Sequence, residues 1–347
     1  MAVRKENFGT TKEGKEITKF WIENPGGIKA CVTDLGANLL NLLVPDKEGK
    51  EADVVLGYAA LEDYVINDSF LGATVGPNAN RIANAAFEID GVKYTLAAND
   101  GVNNLHSDKQ SGYHVRVWDV AETGEDYVTF SLEDADGCMG FPGNKKIKVT
   151  YTVTSDNALK IHYQGSSDKK TILNMTNHSY FNLAGHDAGD ICDHILEMKA
   201  SHYTPIVRGA IPTGEIAPVA GTPFDFTVAK RIGDDINKEE EQLKLVGGYD
   251  HNWVIDDADG SLREFATVTE PVSGRVMKVF TDLPGVQFYT ANSTEIAGAK
   301  EGAHYKNRAA LCLETQYYPD TANKPQFPSA VFGPEREYDT VTVYKFV

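Results

Sequence analysis

Apolar and polar residues alternate with a period of two along much of the chain. In Val128-Thr-Phe-Ser-Leu132 the apolar side chains fall on one side and the hydroxyls on the other, the pattern of a half-buried strand. Ile147-Lys-Val-Thr-Tyr-Thr-Val153 and Leu159-Lys-Ile-His-Tyr163 repeat it, and Val341-Thr-Val-Tyr344 is similar. Asp90-Gly91, Asp100-Gly101 and Asp136-Gly137 supply turn chemistry between such segments. Helical periodicity is thin. Val228, Ile232 and Ile236, four residues apart, predict one or two short helices within 227–246, with the Glu239–Glu241 run as a solvated face. Strands do not alternate with long amphipathic helices, which argues against a doubly wound sheet. No repeat of 20–50 residues marks a propeller or solenoid. The pattern predicts an all-β protein: one large antiparallel sandwich, a single domain over residues 1–347, with a few short helices.

Composition narrows the partners. The 347 residues are 41% hydrophobic and 24% charged, enough apolar content for a core without disulfide or metal staples. Thirty-three basic against 50 acidic residues leave a net charge of −17. That field repels phosphate backbones and anionic lipid, so neither nucleic acid nor a membrane surface is an expected partner. Cys31, Cys138, Cys192 and Cys312 lie far apart with no CxxC pair, which suits reduced thiols in the cytoplasm. The opening MAVRKENFGT has no apolar leader segment and no run reaches the length of a membrane helix. The expectation is a soluble cytoplasmic protein.

Candidate chemistry concentrates in five polar segments: Asn78-Ala-Asn-Arg81, Asn103-Asn-Leu-His106, Asn177-His-Ser-Tyr-Phe-Asn182, Tyr249-Asp-His-Asn-Trp253 and Leu313-Glu-Thr-Gln-Tyr-Tyr-Pro-Asp320. Together they offer the arginine, imidazoles, carboxylates, amides and aromatic rings that recognise a sugar. His178, His186, His194 and His202 recur every eight residues, which raises a metal site. No strand runs that far, however, and Gly185, Gly189 and Pro205 mark turns within or just beyond the stretch. HExxH and paired-cysteine patterns are absent, as are GxSxG, GxxxxGK[ST] and a strand-to-helix GxGxxG. No metal and no cofactor is expected. Proton transfer by histidine and carboxylate remains.

These segments, in this order, resemble the aldose 1-epimerase family, from about Gly9 to the C-terminus. The most specific blocks are Asn177-His-Ser-Tyr-Phe-Asn-Leu183 and Leu313-Glu-Thr-Gln316 with Pro319-Asp320, Asn323 and Phe327-Pro-Ser329. Gly76–Ile82, Tyr249–Asn252 and Gly285-Val-Gln-Phe-Tyr-Thr290 add to them. The resemblance implies a β-supersandwich and interconversion of the α and β anomers of free aldoses. It implies Glu314 as general base and His178 as general acid, with His106 a second donor near the ring oxygen. Arg81 and Asp250 would hold sugar hydroxyls, and Asn80, Tyr180 and Gln287 would make lesser contacts. Trp253 or Phe288 would cover an apolar sugar face only if not taken by the core. The partner is then a small aldose, and the chain acts as a monomer or homodimer.

The chain departs from the family pattern at Ser107-Asp108, Gly112-Tyr113 and Trp253, where the rim of the cleft is expected. Three other readings stay open: a sugar-binding module without turnover, an enzyme of phosphorylated hexoses, and a glycoside hydrolase using Asp250 and Glu314. A phosphosugar would need clustered cations, and Arg81 is the evident one beside the motifs.

Overall fold

A nine-stranded antiparallel sheet is the spine of the computed structural model, which describes residues 2–347. Its strand order is Asp119–Thr123, Tyr127–Asp134, Lys145–Val153, Ala158–Ser167, Tyr338–Phe346, Val276–Thr281, Arg263–Thr269, Ile195–Met198 and Lys230–Arg231. The C-terminal strand therefore sits mid-sheet, zipping two sequence-distant halves together. A five-stranded meander, Ala2–Thr10 through Glu51–Asp53, packs on one part of this sheet, with Phe20 set edge-on to Phe130 at 5.5 Å. A second five-stranded sheet joins Ala217–Pro218, His202–Thr204, Asp250–Val254, Gly285–Tyr289 and Cys312–Gln316. It is tied to the long sheet where the Tyr344 hydroxyl donates to the Leu313 carbonyl at 3.0 Å.

Local sequence explains the strands. Ile147, Val149, Tyr151 and Val153 are buried while Lys146 and Lys148 are exposed, as the alternation predicts. The Asp90-Gly91 turn takes φ of 51° and 80°, the two left-handed residues that a tight hairpin between Ala86–Ile89 and Val92–Thr95 requires.

Two details differ from the sequence expectation. At the C-terminal strand the period holds but the inward face is the other one. Thr340, Thr342 and Tyr344 are buried while Val341 and Val343 are only half-buried, because the Thr342 hydroxyl meets Thr315 of the neighbouring sheet. In 227–246, Val228 is 75% exposed and shares no face with buried Ile232 and Ile236. That stretch forms a 3-10 turn at Ile232–Asp234 and one helix at Glu241–Val246, capped by the Glu240 carboxylate accepting from the Leu243 amide. A further six-residue helix, Leu61–Ile66, is too short to show a period in sequence. Among the described residues no helix is long and apolar enough to cross a membrane.

Candidate active site

The second five-stranded sheet has two unlike faces. His251, Trp253, Val286, Phe288 and Leu313 are buried, with Trp253 and Phe288 rings 5.6 Å apart inside the apolar core. Period-two alternation then puts Asp250, Asn252, Gln287, Cys312, Glu314 and Gln316 on the opposite face. Register aligns them: Asn252 lies beside Gln287, and Gln287 beside Glu314. The short strand Thr176–His178, paired with Ala73–Val75, brings His178 against Glu314.

Asn80, Arg81, His106, His178, Tyr180, Asp250 and Glu314 all line one cavity of about 480 Å³. His178 Nε2 stands 3.5 Å from Glu314 Oε1, both side chains nearly inaccessible. The His178 ring stacks on Tyr180 at 4.9 Å and meets the edge of His106 at 5.4 Å. Tyr180 is fixed by donating its hydroxyl to the Ser69 carbonyl. Arg81 Nε donates to Asp100 at 2.7 Å. Its terminal nitrogens have no hydrogen-bond partner among the described residues.

Gln287 is placed differently. It does not line the cavity: its amide donates to Asp250 Oδ1 at 2.7 Å and its carbonyl accepts from Gln316. It therefore holds Asp250 from behind. Trp253 and Phe288 belong to the core and are not in the cavity wall.

Burial and neighbouring charge set the protonation states. Burial, with Asp250 nearby, raises Glu314 well above the usual carboxylate range, and Arg81 opposes this. Burial raises Asp250 too, again against Arg81. Desolvation lowers His178 to about 4 and His106 far below its ordinary value. His106 is also fixed in tautomer. The Asn80 amide N–H donates to His106 Nδ1 at 3.1 Å, while the His106 amide donates back to the Asn80 carbonyl. A backbone N–H can only donate, so Nδ1 accepts and Nε2 carries the hydrogen. His106 is a neutral N–H donor.

That tautomer bears on metal binding. His106, His178 and Glu314 bring ligating atoms within 4.8 Å of one another. Yet His106 has one nitrogen taken by Asn80 and the other protonated, leaving no free lone pair for a metal. The donor set fits hydrogen bonding to substrate better than coordination. The evenly spaced histidines disperse: His186 binds the Tyr305 hydroxyl, His194 accepts from the Leu183 amide and His202 lies beside Ser201.

The sequence did not flag Phe70, Lys109 or the Asn292–Glu295 segment, which also line the cavity, and it gave Tyr289 only as part of a motif block. Phe70 packs on His106 at 4.7 Å, but an isolated phenylalanine carries no sequence signal of a polar site. Lys109 adds a second cation to Arg81, set against four carboxylates at Asp68, Asp250, Glu295 and Glu314. None of the departures from the family pattern lines the cavity. The Ser107 hydroxyl bridges the Asn78 backbone, Asp108 caps the amides of Gln110 and Ser111, and Trp253 donates to the Phe224 carbonyl.

The aldose 1-epimerase sequence pattern matches residues 18–345. The chain belongs to the aldose 1-epimerase family. It is 38% identical to galactose mutarotase of Homo sapiens over 338 residues, covering 96% of this chain and 95% of that protein. With aldose 1-epimerase of Escherichia coli K12 it shares 35% identity over 337 residues, 96% of each. Among solved structures, an aldose epimerase homologue from C. elegans superposes with a TM-score of 0.87 at 32% identity, covering 94% of this chain and 98% of that one. Galactose 1-epimerase of Lactobacillus acidophilus gives 0.86 at 27% identity, covering 100% and 99%. The fold is thus the galactose mutarotase-like β architecture that the family resemblance implies.

Proposed function

We propose that this protein is a mutarotase, interconverting the α and β anomers of free aldohexoses such as galactose and glucose. The observation that carries the reading is the His178–Glu314 pair, 3.5 Å apart at the wall of a cavity shared with Arg81 and Asp250. Glu314 removes the proton from the C1 hydroxyl as His178 protonates the ring oxygen, and the pyranose opens to the aldehyde. Rotation about C1–C2 presents the other carbonyl face. Ring closure returns both protons to their starting groups, so atoms and electrons balance without a redox partner. His106 donates through Nε2 toward the ring oxygen. Arg81 and Asp250 hold the hydroxyls by charge-assisted hydrogen bonds, with Asn80 and Tyr180 in contact and Gln287 steadying Asp250.

The electrostatics set how much of the site stands ready to react. After ring opening Glu314 is protonated and His178 neutral. Burial, which raises Glu314 and lowers His178, favours that neutral pair over carboxylate and imidazolium. The same preference holds before the sugar opens, so a fraction of the one-proton site stands ready with Glu314 ionised and His178 protonated. We read residues 1–347 as one domain, since a single buried cluster extends from Phe20 to Phe346, acting as a monomer or homodimer in the cytoplasm.

The test is the relaxation of a freshly dissolved anomer. Glu314→Gln is expected to lose about 10²–10⁴-fold in kcat while still binding sugar, and His178→Asn to lose more in kcat than in KM. Wild-type turnover in Glu314→Gln would remove Glu314 as base.

A further inference from the structure

The block Pro319-Asp320 with Asn323 has no place in the cavity wall, yet it reaches the residues beside Arg81. The Asp320 amide donates to the Arg81 carbonyl at 2.8 Å, and Asp320 Oδ1 accepts from the Ala83 amide at 3.0 Å. Backbone and side chain of one aspartate therefore hold the chain on both sides of Ile82. The carboxylate is wholly buried and both oxygens are engaged. Asn323 Nδ2 donates to Oδ1 at 2.8 Å, and Lys324 Nζ donates to Oδ2 at 2.8 Å. Asp320 adopts the left-handed backbone, with φ of 57° and ψ of 20°, a conformation that aspartate and asparagine tolerate better than most residues.

Asp320 follows Glu314 closely in the chain, just beyond the end of the strand Cys312–Gln316. The same stretch is tied a second time. Asn174 exchanges two side-chain hydrogen bonds with the Tyr317 backbone, at 2.9 and 3.0 Å, while its own backbone pairs with Pro77 and Ala79. Residues 77–83, which carry Asn80 and Arg81, are thus mounted at both ends on the chain that leaves Glu314. The Arg81 side chain has less to hold it. Its Nε donates to Asp100, whose side chain is 36% exposed on the Asp100-Gly101 turn. Where the guanidinium stands over the cavity therefore depends on where its backbone is held. We propose that Asp320 is a positioning residue that sets Arg81 relative to Glu314, joining the sugar-holding cation to the strand of the general base. Lys324 offsets the charge of the buried carboxylate and stands outside this grip.

The effect on sugar binding rests on the mutarotase reading; the effect on Arg81 does not. The experiment therefore has two arms, on wild type, Asp320→Gly and Asp320→Asn. Glycine keeps the left-handed backbone and loses the carboxylate, whereas asparagine keeps an oxygen for the Ala83 amide. In the first arm, ¹⁵N relaxation of the arginine Nε–H groups is measured, with Arg81 assigned by its absence from Arg81→Lys. Arg81 is expected to be ordered in wild type and Asp320→Asn. In Asp320→Gly its order parameter is expected to fall into the flexible range, below about 0.6. Arg275 Nε–H, which donates to the Val44 carbonyl at 3.1 Å in another part of the fold, is expected to stay ordered in all three. A general loosening would move both. In the second arm, KM for aldose relaxation is expected to rise about fivefold in Asp320→Gly with kcat within about twofold, and Asp320→Asn to keep both near wild type. An unchanged Arg81 signal in folded Asp320→Gly overturns the proposal, as does Arg81 released equally in Asp320→Asn. Should Asp320→Gly not fold, Asp320→Ser, whose hydroxyl is one bond shorter than the carboxylate, carries the same comparison. Loss of the fold in both would make Asp320 a general support and overturn the proposal too. If wild type proves inactive on aldoses while Arg81 responds, the mutarotase reading fails and the role of Asp320 stands.

Discussion

At the scale of single residues, the pH dependence follows from which member of the pair holds the proton. Glu314 is raised and His178 lowered to about 4, so over a broad range the pair carries one proton. Turnover needs the form with Glu314 ionised and His178 protonated, a fixed fraction of that one-proton state. The profile of kcat/KM is thus expected to be flat across the middle. As pH falls through about 4 the pair takes up a second proton and activity is lost. As pH rises past the elevated Glu314 value the last proton leaves and activity is lost again. An acid limb near 6.5, the value of an unperturbed imidazole, would contradict this assignment. Most of the site was legible at this scale: Asn80, Arg81, His106, His178, Tyr180, Asp250 and Glu314 meet around one cavity. Gln287 was legible as a motif residue but not as a backing residue, because sequence does not tell which of two adjacent amides faces the ligand.

At the scale of elements, the strands Asp250–Val254, Gly285–Tyr289 and Cys312–Gln316 convert sequence alternation into a split between core and chemistry. Their polar face is wired laterally: Gln316 donates to Asn252 and to Gln287, and Gln287 to Asp250. Gly285, paired with Gln316, makes room for this layer. A Cβ there would stand 2.6 Å from Asn252 Oδ1 and 2.8 Å from the Tyr318 ring. Gly285→Ala is therefore expected to push Asn252 off Gln316 and loosen the hold on Asp250. KM for aldose should rise several-fold, with a smaller change in kcat and an overpacking cost of about 1–3 kcal/mol. Unchanged KM in a folded variant would show that the amide layer does not steady Asp250. Period-two reading found these strands because each has one apolar face. It misjudged Tyr338–Phe346, whose inward Thr342 pairs with a second sheet, since alternation reports the period and not which face meets a partner.

At the scale of the whole molecule, charge and topology act together. The chain carries a net charge of −17, and the cavity wall sets Arg81 and Lys109 against Asp68, Asp250 and Glu295, the Glu314–His178 pair with its one proton being neutral overall. A dianionic phosphate meets repulsion at long range and an excess of carboxylates at the site. The rate enhancement for glucose 6-phosphate is expected to be at least about tenfold below that for glucose, a gap of about 1.4 kcal/mol in barrier. Equal rates would favour the phosphosugar reading. The sandwich class was legible because turn residues and alternation are local signals. The order of the nine-stranded sheet was not, because the C-terminal strand pairs with Ala158–Ser167 on one side and Val276–Thr281 on the other, contacts that no local pattern encodes. The most direct measurement of the central claim is polarimetry on freshly dissolved α-D-galactose, with wild type and Glu314→Gln side by side. The account predicts that wild type reaches the spontaneous final rotation much sooner than buffer does, and that Glu314→Gln gives almost none of this acceleration. Relaxation at the buffer rate with wild type, or undiminished acceleration with Glu314→Gln, would contradict it.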